Sequence, residues 1–234
     1  MTTKFDLLIR NATVIDGTGA DRYTADIGIN GDRIAKVGDL GACSGKKEID
    51  LRGHVAAPGF IDAHTHDDRL MLSDPEMTPK VSQGVTTIIG GNCGVSLAPM
   101  PRPIPDPVTP PLNLLDDEGK WFRFRSFKQY LDALKAEPAT TNRAMLVGHT
   151  TLRVATMDDL EKPANAKQIE QMQELVVEAM QAGAIGVSTG LFYEPAVAAP
   201  TEEVIEICKP LKKYLIQLWS SDISHYITCT ISVI

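Results

Sequence analysis

Pro58-Gly59-Phe60-Ile61-Asp62-Ala63-His64-Thr65-His66 separates two differently patterned parts of a 234-residue chain. The run reads as a strand over residues 60–66, entered through a Pro-Gly turn. Side chains two apart on a strand face the same side. His64 and His66 therefore project together near the strand's C-terminal end. Two neutral imidazoles held in this way suit a borderline-soft cation such as Zn²⁺. In isolation an HxH is more often a pair of surface histidines. Its place here, after a β unit and at the head of a strand–helix series, gives the ligand reading its force.

Downstream of this run, apolar strands alternate with amphipathic helices. Thr78 is expected to cap a short helix with Pro79 in its first turn, ended by Gly84. Val85-Thr86-Thr87-Ile88-Ile89 is a β-branched run, hence a buried strand. The Pro-rich segment 99–111 is a long loop. Ser126 with Gln129 makes a capping box for a helix with Phe127, Tyr130, Leu131 and Leu134 on one face. Residues 144–148 form the next strand. Ile169, Met172, Leu175, Val176 and Met180 mark a second helix, stopped by Gly183. Residues 184–188 form a fourth strand, and a last helix opens at Thr201 and is shortened by Pro210. Strands and helices in alternation imply a parallel sheet. A closed (β/α)₈ barrel needs eight strands and about 250 residues, whereas about 175 residues follow Pro58. About half a barrel is expected.

Upstream, the first 50 or so residues read as short strands. Leu7-Leu8-Ile9 and residues 12–15 precede the turn Asp16-Gly17-Thr18-Gly19, and Asn30-Gly31-Asp32 makes a hairpin into residues 33–37. The chain carries a net charge of −7 with 23 Lys and Arg against 30 Asp and Glu, and shows no basic run. That argues against a nucleic-acid partner. No signal peptide is read at the start, and the Ile- and Leu-rich stretch 215–234 is broken by Asp222, His225 and several Ser and Thr, so no membrane span is expected. Cys43, Cys93, Cys208 and Cys229 lack CxxC spacing, and a cytoplasmic chain with reduced thiols is expected.

Cys93 ends the strand 85–89 among Gly91, Asn92 and Gly94, beside the strand bearing the two histidines. A thiolate there is a good zinc ligand or a bridge between two zincs; a small buried hydrophobe is the alternative. Asp62 is either a partner that orients a ligand or a structural hydrogen bonder lower in the barrel. Asp67 and Asp68 read as loop carboxylates or helix-start charges. His149, in Gly148-His149-Thr150-Thr151-Leu152-Arg153, and Tyr193, in Ser188-Thr189-Gly190-Leu191-Phe192-Tyr193, lie at later strand ends. Each is a candidate substrate contact, with packing as the competing role.

At Phe5-Asp6-Leu7-Leu8-Ile9-Arg10-Asn11-Ala12, at 58–67, at 84–94 ending in Asn92-Cys93-Gly94, at 148–153 and at 183–195, the chain resembles the N-acyl-D-amino-acid deacylases, or D-aminoacylases, of the amidohydrolase superfamily. The resemblance implies an α/β architecture: a small β-sandwich portion over residues 1–57 and the first half of a zinc-bearing (β/α)₈ TIM barrel over 58–214. It implies His64, His66 and Cys93 as metal ligands. It also implies hydrolysis of a small-molecule N-acyl-D-amino acid to a carboxylate and a D-amino acid. In hydantoinase-like relatives a carboxylated Lys bridges the metals, so the Cys is the discriminating residue.

The resemblance stops near Tyr214, which suggests a truncation or frameshift, with 215–234 an aberrant tail. The family's further His ligands on strands five and six, and its catalytic Asp, have no counterparts in this sequence. The chain alone is therefore expected to be inactive or nearly so. The alternatives are another amidohydrolase activity, such as a D-hydantoinase or a dipeptidase, and a non-catalytic fragment.

Overall fold

The computed structural model describes residues 4–214, 217–222 and 225–231. The chain divides into two compact units, Met1–Gly59 and Phe60–Ile234.

In the first unit, β1 (Lys4–Val14), β2 (Tyr23–Asn30), β3 (Arg33–Gly38), β4 (Ser44–Asp50) and the short β5 (Val55–Ala56) form one sheet. β1 runs antiparallel to β2 and parallel to β4 and β5. The two stretches that the sequence separates, 7–9 and 12–15, belong largely to one long strand. The register shifts between Ile9 and Ala12, where Asn11 adopts φ 56° and gives its N–H to Asp26 Oδ1 at 2.9 Å. Asn tolerates this left-handed conformation, so the bulge bends the strand without ending it. Phe5, Leu8 and Leu40 form one small apolar cluster, and Ala12, Val14, Ala25 and Ile27 form another.

The second unit opens with β6 (Phe60–Asp62), two short helices α1 (Leu70–Ser73) and α2 (Thr78–Val81), and β7 (Val85–Gly90). Then come α3 (Phe127–Ala136), β8 (Asn142–Met145), β9 (Val147–Gly148), α4 (His149–Thr156), α5 (Ala166–Ala182), β10 (Gly186–Thr189), α6 (Glu194–Val197) and α7 (Thr201–Cys208). β6, β7 and β8 are parallel neighbours, as are β9 and β10. β8 and β9 are one chain path broken only at Leu146, whose N–H bonds the Gly90 carbonyl at 3.0 Å. This path joins the two ladders.

Within 215–234, which the sequence assigns to a tail, β11 (Gln217–Asp222) runs parallel to β10, and β12 (His225–Ile231) returns antiparallel to β11. The β-branched and aromatic content of both segments suits strands.

The helices take the places their periodicity indicates. Phe127, Tyr130 and Leu134 of α3, and Met172, Val176 and Met180 of α5, point into one large core that also holds Val147 and Val187 from the strands. Gly183 closes α5 in the left-handed conformation, φ 115°. The loop 99–126 is anchored by its apolar side chains: Met100, Leu112, Phe122 and Phe124 are buried in that same core.

Several local expectations need correcting. The ladder of β6 ends at Asp62 rather than running to His66. Thr78 does not cap α2; Met77 does, with φ 50° and no side-chain hydrogen bond. α4 does not appear in the sequence reading, because Thr150, Thr151 and Val154 lower its helix propensity. Burial of nearly the whole helix overrides that weakness.

Candidate metal centre

The backbone past β6 stays near β7, because the Thr65 N–H reaches the Ile89 carbonyl at 3.3 Å. His64 and His66, on either side of Thr65, have ring centroids 5.8 Å apart and planes at 77°. Cys93 comes from the loop after β7. His64 Nε2 lies 2.9 Å from Cys93 Sγ, and ligand atoms of His64, His66 and Cys93 all fall within 4.8 Å of one another.

The local sequence explains why Cys93 sits there. It adopts φ 55°, a left-handed conformation unusual for a residue with a Cβ. Gly91 and Gly94, at φ 77° and 75°, make the turns on either side. A Cβ on Gly91 would stand 2.0 Å from the Leu146 carbonyl oxygen, and one on Gly190 would stand 2.5 Å from that of Cys93. Glycine is what lets three strand ends close around this loop. Two side chains then fix it. Asp68 accepts the N–H groups of Gly91 at 3.0 Å and Leu97 at 3.3 Å. The Ser188 hydroxyl donates to the Gly91 carbonyl and accepts the Gly94 N–H at 3.0 Å.

Asp68 is thus a fully buried clamp and not the loop carboxylate that its neighbour Asp67 suggests. Burial pushes it up to about 7, against the pull of its backbone hydrogen bonds. Asp62 accepts the His64 N–H at 3.2 Å and meets Lys80 Nζ at 2.6 Å. Burial works to raise the Asp62 pKa, but the Lys80 ammonium and the His64 N–H outweigh it, and the net direction is down.

The three donors fit a cation. His66 is held below its usual pKa, first by burial and then by His64, with Asp67 opposing. That favours the neutral imidazole a metal needs. Its Nδ1 is buried without a hydrogen-bond partner, which a polar atom in that position rarely is. Two imidazoles and a thiolate form a borderline-soft donor set.

The other two candidates differ in where they lie. His149 is fully buried at the start of α4, with Nδ1 3.0 Å from Thr189 Oγ1 and Nε2 3.1 Å from Glu203 Oε1. Glu203 also pairs with Arg153 and accepts the Ala164 N–H at 2.8 Å. With both ring nitrogens engaged and no exposed edge, His149 ties α4 to α7 and offers nothing to a substrate in this arrangement. Tyr193 is half-buried at the head of α6. A Cβ on Gly190 would stand 3.1 Å from the Tyr193 ring and 2.5 Å from the Cys93 carbonyl oxygen, so Tyr193 borders the centre, and its phenol is pushed upward by burial and by Cys93. Sequence reasoning gave no role to Lys80 or Glu203. The apolar periodicity of α7 places Glu203 beside inward Val204, the one hint available.

Parallel strands that bring two imidazoles and a thiolate together at their C-terminal ends suit a metal centre on the face where barrel-type folds bind their ligands. The family model described as the amidohydrolase family matches residues 47–215, and the chain belongs to that family. It is 52 % identical over 210 residues to a D-aminoacylase of Alcaligenes xylosoxydans xylosoxydans, covering 90 % of this chain and 43 % of that protein. A solved D-aminoacylase described for its binuclear metal centre superposes with a TM-score of 0.89 at 52 % identity, over 93 % of this chain and 45 % of the other. The N-acyl-D-glutamate deacylase of Bordetella bronchiseptica, solved with zinc and a phosphonate mimic of the tetrahedral intermediate, superposes at 0.85 with 40 % identity, over 93 % and 45 %. The chain therefore spans under half the length of these relatives, and its second unit corresponds to about half of their barrel. Among the described residues no helix is long and apolar enough to cross a membrane.

Proposed function

We propose that this chain is the metal-ligating N-terminal part of a zinc-dependent N-acyl-D-amino-acid deacylase. It would serve hydrolysis of a linear amide to a carboxylate and a D-amino acid. The observation that carries the reading is the convergence of His64, His66 and Cys93 within 4.8 Å. Zinc, when bound, would supply a water of lowered pKa and a Lewis acid for the amide carbonyl. The chain's own contribution is positional. His66 is kept neutral, Asp62 steadies the His64 backbone, and Asp68 with Ser188 holds Cys93 at the strand ends. Tyr193 is the residue proposed to border the acyl-amino-acid substrate. A cytoplasmic setting goes with this reading, because a thiolate ligand requires reduced cysteine. The division into a β-sandwich portion over 1–57 and a half barrel from residue 58 is part of the same proposal.

The test is metal binding followed by a substrate panel. Co²⁺ bound to the full chain should show a thiolate charge-transfer band that Cys93→Ser removes. N-acetyl-D-amino acids should be hydrolysed in preference to their L isomers. A cobalt complex without thiolate character, or a preference for L isomers or for cyclic hydantoins, would overturn the assignment.

A further inference from the structure

Lys80 has no part in the chemistry proposed above, yet its ammonium is fully engaged. An ammonium carries three N–H donors. Those of Lys80 meet three acceptors: Asp62 Oδ2 at 2.6 Å, Asp67 Oδ2 at 3.0 Å and Thr65 Oγ1 at 3.2 Å. These acceptors interleave with the proposed ligands, since 62, 65 and 67 flank 64 and 66. Each acceptor is itself tied in. Asp62 Oδ1 takes the His64 N–H at 3.2 Å, and the Thr65 hydroxyl donates to Asp67 at 2.6 Å. The segment needs such a device, because the β6 ladder ends at Asp62 and its further bond to β7 is the long one from Thr65 to Ile89.

We infer that Lys80 is a positioning residue, a cationic hub on α2 that sets the spacing of His64 and His66 for their metal. The inference rests on the zinc reading above. The Lys80, Asp62 and Asp67 side chains are only 20 %, 27 % and 17 % exposed, so their attraction is less screened than that of a surface pair. Without the cation, the Asp62 and Asp67 carboxylates face each other and the segment between them spreads. The metal must then gather the two imidazoles itself. Removing an outer partner of this kind typically weakens metal binding 10- to 100-fold. A hub that merely tethered α2 would instead lower the stability of the metal-depleted chain and leave the affinity of the folded fraction unchanged.

The experiment uses the full chain, titrated with Co²⁺ and, against a chromophoric chelator, with Zn²⁺. Melting of the metal-depleted form is followed separately by circular dichroism. Lys80→Met is expected to lose at least about tenfold in affinity for both ions, and Lys80→Arg, which keeps the charge, to recover most of it. Equal affinities in the parent and Lys80→Met overturn the inference while leaving the zinc reading intact. If Lys80→Met does not fold, Asp67→Asn removes one arm of the hub and should give a smaller loss, and no loss there overturns the inference. A parent chain that binds neither ion through Cys93 overturns the zinc reading and the inference together.

Discussion

The carboxylate of Asp68 spans both ends of the Cys93 loop, accepting the Gly91 N–H at 3.0 Å with Oδ2 and the Leu97 N–H at 3.3 Å with Oδ1. Nothing else among the described contacts ties these two backbone donors together, and both are buried. Replacing Asp68 by Ala leaves them unsatisfied, which costs about 1–3 kcal/mol for a buried group. Asp68→Ala should therefore lower urea-unfolding stability by about 2 kcal/mol and weaken Co²⁺ binding at the same time. Unchanged binding in the folded variant would show that Ser188 alone suffices to hold Cys93.

Cys93 occupies left-handed backbone space, which costs a residue with a Cβ roughly 1–2 kcal/mol. Cys93→Gly should make the metal-depleted chain more stable by up to about 1 kcal/mol while abolishing the thiolate band. A stability gain accompanied by a loss of binding is the pattern of a conformation kept for function. Calorimetry of the metal-depleted forms, parent against variant, reads it directly.

Gly91→Ala is expected to act in the opposite sense. Its new Cβ would overlap the Leu146 carbonyl oxygen at 2.0 Å, and φ 77° is strained for alanine in any case. Backbone atoms must move, and a loss of roughly 2–3 kcal/mol is expected. The thiolate band should vanish even though all three ligands remain. A normal spectrum in this variant would mean that the loop can be re-formed without the close approach.

The His149–Glu203–Arg153 cluster predicts acid sensitivity. Burial alone would raise the Glu203 pKa, but His149, Arg153 and the Ala164 N–H outweigh it and bring it down to about 2 from 4.5. A depressed folded-state pKa gives stability that is present above the unfolded value and is lost as pH falls toward the folded one. Stability should therefore decline from near pH 4.5 toward pH 2, by on the order of 2–3 kcal/mol from this carboxylate. Buried His149, held below its usual pKa by burial, acts in the same direction from pH 6.5 downward. Glu203→Gln should melt at lower temperature at neutral pH and show a flatter decline between pH 4.5 and 2. Parallel profiles for parent and variant would contradict the assignment.

The sequence made the ligands legible because a strand has a simple period and glycines mark the loop that carries Cys93. It did not reveal what holds them. Asp67 and Asp68 are adjacent and look alike, yet one is bonded to Lys80 and Thr65 while the other is sealed inside and clamps a loop 23 residues away. Which of two neighbouring carboxylates turns inward depends on the path of β7, and no local pattern records it. His149 misled for a related reason. A histidine at a strand end on the ligand-binding side suggests substrate, but the helix that begins at that residue turns its ring toward Glu203, 54 positions later. Long-range pairings of this kind are decided by packing.

Ser188 stands 97 positions beyond the Gly91 carbonyl to which its hydroxyl donates. All three proposed ligands precede residue 94, so a nascent chain carries them long before it carries the serine that completes their frame. The frame of this centre is thus closed late in synthesis, once β10 has emerged and docked.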